Sequence, residues 1–364
     1  MDRTLTKQYG ILLPSRMAEG GLRLLRKLWL VDNGRQFQRT DRGILVPLVR
    51  TLTDNEGVLI REQVGEVKTQ LASFEEAREK ERTLEAALRG QIPDELIAKL
   101  PRSFDVIGDI AVIELPESLE QFSEVFGQGV LKINPHIRLA LRRTSQVEGT
   151  FRTRKFEVLA GIGGTETVHR EFSCRYQLDV STVYFNPRLS RERMRIAQQV
   201  KPGESVVDMF AGVGPYSVLI ARLQPQSTVY SVDINPLAVK YLRENAFANR
   251  VADRVSPMLG DVKELARKDL REIANRVIMN LPSEASNYLP AASQILKDEG
   301  GMIHFYTFAG REENIETIVD SFQSTVEAQN RKLRSVPFCK VIKEVAPNRV
   351  QVAIDALVSA RVPR

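Results

Sequence analysis

The chain is poor in the residues that build metal centres and disulfide frameworks. Its 364 residues include two cysteines, Cys174 and Cys339, and three histidines, His136, His169 and His304, all far apart in the sequence. That inventory argues against a zinc site and against a small stapled scaffold, and it fits a reducing, cytoplasmic compartment. No apolar run approaches the roughly 20 residues needed to span a bilayer, so no membrane association is expected. The opening MDRTLTKQYGILLPSR has one short apolar stretch and no small-residue cleavage pattern, which speaks against a secretory signal. Internal repeats and low-complexity tracts are absent as well.

What is present is an ordinary globular composition, 43% hydrophobic and 27% charged, with a formal net charge of +6. The length predicts two or three domains. The positive charge is unevenly spread. Residues 131–155 carry Lys132, Arg138, Arg142, Arg143, Arg152, Arg154 and Lys155 against one acid, Glu148. Such a cluster reads either as a phosphate track or as a solvated face.

Patterning divides the chain. Residues 1–64 read as a small mixed unit: a helix over AEGGLRLLRKLWLV, a polar turn, then strands around FQRT and GILVPLV. Residues 65–92 read as a charged connecting helix, opened by a capping-box pattern at Ser73–Phe74–Glu75–Glu76 and continued by Ala77, Leu84, Ala87 and Leu88. Residues 93–182 alternate as an α+β unit, with strands in FDVIGDIAVIEL, IRLALRRTS, KFEVLAGI and ETVHREFSCRYQLDV and a helix in ESLEQFSEVFGQGVLKI. From residue 183 to 364 strands and helices alternate, which predicts a parallel, doubly wound α/β sheet. The tail KVIKEVAPNRVQVAIDALV reads as an antiparallel edge hairpin.

The chemistry concentrates at the ends of those strands. VVDMF runs into Ala211–Gly212–Val213–Gly214–Pro215–Tyr216–Ser217 and then a helical pattern. Glycines at a strand-to-helix turn let a ligand approach the backbone and meet helix N-terminal amides. A dinucleotide fingerprint would place a third glycine where Ser217 stands. Here an acid, Asp208, precedes the loop, suited to the ammonium of a methionine moiety and hostile to a pyrophosphate. Asp233 ends the second strand, 19 residues after Gly214, where a carboxylate can accept ribose hydroxyls. Gly260–Asp261 ends the third, where a carboxylate can take an adenine amino group. Alone, each acid is an ordinary cap or turn residue; together at successive strand ends they indicate S-adenosylmethionine. The fourth strand ends in Asn280–Leu281–Pro282, an amide and a stiff turn of the kind that frames a planar nitrogen heterocycle. Upstream stands VYFNPRLSRERMRI, whose Arg188 and Glu192 would form at least an i,i+4 pair.

With these blocks in order, the chain resembles the archaeal and eukaryotic tRNA guanosine-37 N1-methyltransferases. The resemblance rests on FRTR (Phe151–Arg154), TETVHRE (Thr165–Glu171), LDVSTVYFNPRLSRER (Leu178–Arg193), VVDMFAGVGPYS (Val206–Ser217), VDINPLAVKYLREN (Val232–Asn245) and NLP (Asn280–Pro282), and it covers nearly all of residues 93–364. Residues 1–64 match more loosely the small domain with which archaeal members touch the tRNA.

The resemblance implies a Rossmann-like class I methyltransferase sheet with two smaller N-terminal α+β domains. It further implies methyl transfer from S-adenosylmethionine to N1 of guanosine 37 in tRNA, with S-adenosylhomocysteine as product and no metal. Glu192 is then the general base, Arg152 the partner of guanine O6, and Asn280 and Pro282 the frame for the base. Tyr184, Arg193, Asp208, Phe210, Gly212, Asp233, Ile234, Asp261, Val262 and Asn280 would line the cofactor. Arg142, Arg143, Arg152, Arg154, Arg188 and Arg193 would hold the RNA, whose target base must flip out of the loop stack. A monomer is expected. Two departures stand out: Asn186 replaces the serine of many archaeal members, and SEASNYLPAA after NLP differs from the usual Lys- and His-containing versions. The alternative is a wyosine-pathway enzyme acting at the same position, by C7 methylation of the tricyclic intermediate or by aminocarboxypropyl transfer; NLP favours methyl transfer. Methylation of another RNA or of protein nitrogen, and a non-catalytic RNA-binding role, are the remaining readings.

Overall fold

The computed structural model describes residues 5–76, 83–101, 103–145 and 149–361. It contains two compact units, one ending at Ala87 and one beginning at Leu88.

In the first unit, β1 (Leu5–Pro14), α1 (Ala18–Lys27), β2 (Gln38–Thr40), β3 (Gly43–Pro47), α2 (Asp54–Val64) and β4 (Lys68–Glu75) form a sheet in the order β2-β3-β1-β4 with two helices. Ile11, Leu13, Leu25, Val46 and Ile60 meet in its core. The helix expected from Ser73 is corrected here. Ser73, Phe74 and Glu75 belong to β4, where Lys7 pairs with Ser73 and Thr6 with Phe74. Phe74 is fully buried, and its ring fills the space above Gly10, whose added Cβ would lie 2.6 Å from Phe74 Cζ. Burial of a large aromatic, with ladder hydrogen bonds to β1, outweighs a local capping pattern. Of the expected helix, α3 (Leu84–Leu88) is formed, capped by Thr83 Oγ1 accepting from the Ala86 amide at 3.2 Å; residues 77–82 lie outside the described residues.

The second unit opens with α4 (Asp94–Ile97), then β5 (Asp105–Ile107), β6 (Ile110–Ile113), α5 (Ser123–Ile133), β7 (Leu139–Arg143) and β8 (Phe156–Gly161), a four-stranded sheet in which α5 makes the crossover between parallel β6 and β7. A hairpin, β9 (Glu166–Glu171) and β10 (Cys174–Asp179), follows. Then come α6 (Ser190–Gln199), β11 (Ser205–Asp208), α7 (Pro215–Leu223), β12 (Thr228–Asp233), α8 (Pro236–Ala248), β13 (Val255–Leu259), α9 (Val262–Leu265), β14 (Arg276–Met279), α10 (Leu289–Ile295), β15 (Gly301–Gly310), α11 (Ile315–Glu327), β16 (Leu333–Ala346) and β17 (Arg349–Val358).

The large sheet runs β13-β12-β11-β14-β15-β17-β16. It is parallel from β13 to β15, and the C-terminal hairpin closes it antiparallel through β17, as the alternation and the tail pattern predict. The chain steps outward from β11 to β12 and β13, then returns to the other side of β11 as β14. That reversal opens a crevice at the carboxyl ends of β11 and β14. One apolar cluster packs a face of this sheet and continues through Tyr176 and Leu178 of the hairpin to Val112 and Leu141 of the smaller sheet. A second, including Val277, Ile295, Phe305 and Phe322, fills the opposite face. Among the described residues no helix is long and apolar enough to cross a membrane.

Candidate active site

The glycine loop sits at the crevice, and its backbone explains its sequence. Gly212 (φ 54°) and Gly214 (φ 86°) are left-handed, a region that carries little cost only without a Cβ. Gly214 also caps α7, and a Cβ there would lie 2.1 Å from Leu242 Cδ1. The Gly212 amide donates to Asp233 Oδ2 at 2.7 Å, and the Asn235 amide donates to Asp233 Oδ1 at 2.9 Å. Both oxygens of Asp233 are thereby aimed by backbone, with further acceptor capacity left on each. Burial pushes this carboxyl upward, opposed by the amides of Asn235, Gly212 and Ile234. Asp261 caps α9, accepting from the Lys263 amide at 2.8 Å. Ile234 is 41% exposed beside Asp233, whereas Val262 is buried.

Asp208 departs from expectation. Its side chain is fully buried, accepts from Ser217 Oγ at 2.9 Å through Oδ2, and leaves Oδ1 without a partner. Burial, the largest influence, raises its pKa to about 7. A carboxyl buried beneath the loop supports the turn into α7 through Ser217.

An aromatic wall completes this edge. Phe210 meets Tyr288 edge-on, ring centroids 5.0 Å apart, and Lys263 Nζ lies 4.3 Å from the Tyr288 ring. Tyr288 was not foreseen as a site residue. It lies in the SEASNYLPAA segment whose divergence drew notice, and an aromatic residue six positions after NLP was the available signal.

Arg152 reaches the NLP turn from the smaller sheet. It adopts a left-handed φ of 55° in the loop between β7 and β8, and its Nη1 donates to Ser283 Oγ at 2.7 Å. Asn280 Oδ1 accepts from Gln351 Nε2 at 3.5 Å. Arg154 lies with its guanidinium 5.9 Å from the Tyr184 ring, and its Nε has no partner. Arg152, Arg154, Tyr184 and Arg143 line one small cavity together with Val183 and Phe185.

The remaining arginines are more committed than expected. Arg193 is 2% exposed and forms a two-pronged pair with Glu171, at 2.6 Å for both bonds, while Nη1 holds the Asn186 carbonyl at 3.1 Å. It fastens the β9–β10 hairpin to the start of α6. Arg188 does not pair with Glu192; it donates to Asp105 Oδ1 at 2.5 Å, and Arg143 meets the other oxygen of Asp105. Arg142 lies between Glu120 and Glu157, at 2.7 and 2.8 Å.

Glu192 is 8% exposed and well bound. Arg195 donates from Nε to Oε2 at 2.9 Å and from Nη2 to Oε1 at 2.7 Å, and Tyr306 donates its hydroxyl to Oε1 at 2.7 Å. No hydrogen bond among the described residues joins Glu192 to Arg152 or Asn280. Among those residues, too, no group of three or more His, Cys, Asp or Glu side chains is arranged to hold a metal ion.

The switch-point crevice, the left-handed glycine loop and the backbone-aimed acid of the second strand define a Rossmann-like methyltransferase fold. Comparison with known proteins is specific. The family model described as the TRM5/TYW2 methyltransferase domain matches residues 167–334, and the one described as the TYW2 N-terminal domain matches residues 84–165. The tRNA (guanine(37)-N(1))-methyltransferase Trm5b of Pyrococcus abyssi is 35% identical over 354 residues, covering 95% of this chain and 98% of that protein. A solved complex of aTrm5 with tRNALeu superposes with a TM-score of 0.70 at 28% identity, over 96% of this chain and 99% of the other. The structure of Methanocaldococcus jannaschii TYW2 in complex with AdoMet gives 0.55 at 27% identity, over 71% of this chain and all of that one. The chain belongs to the tRNA (guanine(37)-N(1))-methyltransferase family, a member of the wider group that shares the TRM5/TYW2 methyltransferase domain.

Proposed function

We propose that the protein transfers a methyl group from S-adenosylmethionine to N1 of guanosine 37 of tRNA. The observation that carries this reading is the contact of Arg152 with Ser283, which joins the FRTR loop to the NLP turn at the mouth of the crevice. The residues at the carboxyl edge suit the cofactor's parts. Asp233, held by two amides, would take the ribose hydroxyls, with Gly212 giving the backbone room to approach. Asp261 would take the adenine amino group, and Phe210, Ile234 and Tyr288 would offer the adenine apolar and aromatic surface. Bound there, S-adenosylmethionine supplies an electrophilic methyl carbon on a sulfonium.

The chain's own task is to manage the guanine proton and charge. As N1 gains the methyl it must lose its hydrogen, and negative charge builds toward O6. Arg152 would meet O6, and Asn280 and Pro282 would frame the ring. Glu192 would take the N1 proton: three of its roughly four acceptor sites are filled, and Oε2 carries only the Arg195 Nε bond. Arg154, with a free Nε beside Tyr184, and Arg188 at the domain surface would hold phosphate. The same reading gives the unit ending at Ala87 a tRNA-contacting role and takes the enzyme to work as a monomer in the cytoplasm.

Incubating the protein with methyl-labelled S-adenosylmethionine and unmodified tRNA bearing G or A at position 37 tests this. Label is expected in 1-methylguanosine from the G version alone; methylation of both, or transfer only of label placed in the aminocarboxypropyl carbons, refutes it. A Glu192→Gln variant is expected to retain cofactor binding and lose about 10²- to 10⁴-fold in turnover.

A further inference from the structure

Behind Glu192 lies a chain of buried side chains that the proposed reaction does not yet use. Arg195, which binds Glu192 on one side, binds Asp355 on the other: Nη1 to Oδ2 at 2.5 Å and Nη2 to Oδ1 at 2.9 Å. Asp355, on β17, is 1% exposed. Gln199 Nε2 donates to its Oδ2 at 2.9 Å, and His304 Nδ1 lies 2.7 Å from its Oδ1. On the far side of that ring, Arg276 Nη1 lies 2.7 Å from His304 Nε2. Arginine only donates, so Nε2 accepts and Nδ1 carries the hydrogen given to Asp355. Burial lowers the His304 pKa and favours this neutral ring.

Charge counting along the chain is informative. Arg276 is neutralised by Glu204, its Nε 2.8 Å from Oε2, which leaves Glu192 and Asp355 to share Arg195, so the cluster holds one negative charge more than it compensates. Burial alone would raise the Asp355 pKa, yet hydrogen bonds from Arg195 and His304 outweigh it and hold that carboxyl well below the usual carboxylate range. Asp355 thus competes with Glu192 for Arg195, the one guanidinium from which both carboxylates accept.

Every element packed against Glu192 contributes to this balance. Tyr306 and His304 come from β15, and Tyr216 from α7, its hydroxyl 3.3 Å from that of Tyr306. Arg193 and Arg195 come from α6 itself, the former committed to Glu171. Asp355 comes from β17, and β16 places the Phe338 ring 3.7 Å beneath the Arg195 guanidinium and Cys339 beside Asp355.

Building on the assignment of Glu192 as base, we infer that Arg195, Tyr306 and Asp355 are its positioning residues: Arg195 and Tyr306 fix the carboxylate, and Asp355, by sharing Arg195, limits how far that cation is committed to Glu192. The two ends of this device pull in opposite directions. Removing the Tyr306 hydroxyl takes away a bond to ionised Glu192 and makes it more basic. Removing the Asp355 charge frees Arg195 to stabilise ionised Glu192 and makes it less basic.

The test is the pH dependence of single-turnover methyl transfer in Tyr306→Phe and Asp355→Asn, with S-adenosylmethionine affinity measured by calorimetry. The acidic limb is expected to move up by about half a pH unit to one unit in Tyr306→Phe, and down by a similar amount in Asp355→Asn. Cofactor affinity should stay within about twofold in both. Limbs that stay at the parent position while rates fall would show the two residues to be merely structural. Tyr306→Phe is nearly isosteric, so it carries the test alone if Asp355→Asn does not fold. Glu192→Gln separates the two readings: full activity in that variant removes Glu192 as base, whereas an inactive variant with unmoved limbs in the others overturns only the positioning role.

Discussion

The two sides of the crevice are built by different means. At the edge proposed for the cofactor the carboxylates are aimed by backbone: Asp233 by the Gly212 and Asn235 amides, Asp261 by the amide of Lys263. On the side of α6, charged side chains are held by each other: Glu192 by Arg195 and Tyr306, Arg193 by Glu171, Arg195 by Asp355. A backbone-aimed acid keeps its place as long as the strand and loop persist. A side-chain cluster is only as secure as its partners, since each group buried without its counterion costs more than the pair contributes. The first construction suits a ligand common to many enzymes, and the second suits a chemistry that must be tuned.

The largest expected effect breaks the side-chain construction. Glu171→Gln leaves the 2%-exposed Arg193 without a counterion and should lower stability by about 3 to 5 kcal/mol, read as a fall in the urea midpoint at pH 7.5. A change below about 1 kcal/mol would show that solvent reaches the pair. The parent's acid sensitivity gives the same information. Burial opposes ionisation of Glu171, but hydrogen bonds from His169 and Arg193 outweigh it and lower its pKa. A depressed folded-state pKa contributes stability above the unfolded value, near 4.5, and that stability is lost as pH falls through the folded value. The Gln variant should therefore lose less stability than the parent on acidification.

The next effect has the opposite sign and belongs to the other side. Asp208 is raised to about 7 by burial, so the folded state binds a proton that the unfolded state has released. Its contribution is favourable below about pH 4 and is lost as pH rises toward 7. Asp208→Asn keeps an acceptor for Ser217 and removes the charge. The parent should lose about 2 kcal/mol more than the variant between pH 5 and 8 in urea unfolding. Equal slopes would mean that Asp208 is ionised at neutral pH and has a partner when the cofactor edge is assembled.

The contrast also explains what could be read from residues alone. The strand-end places of Gly212, Gly214, Asp233 and Asp261 were legible because the glycine requirement and the acceptor position follow from a few neighbouring residues. The five parallel strands of the large sheet were legible from alternation for the same reason, and the closing hairpin from the turn in its tail. Arg195, Tyr306 and Asp355 were not, because the contact between Arg195 on α6 and Asp355 on β17 spans 160 residues and depends on how that helix packs on the sheet. Local pattern misled once in an instructive pair. Thr53 with Glu56 and Ser73 with Glu76 share the capping-box spacing, yet only the first caps a helix. Ile60 and Val64 follow Thr53 at helical spacing and bury one face, whereas Phe74 has its place opposite Gly10 in a sheet. Arg193 shows a related limit: its counterion Glu171 lies on β9, 22 residues away in sequence, where local pattern does not reach.

The smallest expected effect concerns the aromatic wall, the one part of the cofactor edge that is not fixed by backbone. Tyr288 is held by Phe210 edge-on and by Lys263 over its face, contacts worth about 0.5 to 1.5 kcal/mol each. Tyr288→Leu keeps apolar cover but removes the ring, and should weaken S-adenosylmethionine binding about three- to tenfold in calorimetry, while Tyr288→Phe keeps the ring and should bind like the parent. A loss in both variants would assign the effect to the hydroxyl and to Asp261 nearby, whose charge acts on it. A loss in neither would confine the adenine surface to Phe210 and Ile234. In that case the cofactor edge would owe nothing to side-chain contacts from the SEASNYLPAA segment, and its divergence from relatives would bear on the RNA side of the crevice instead.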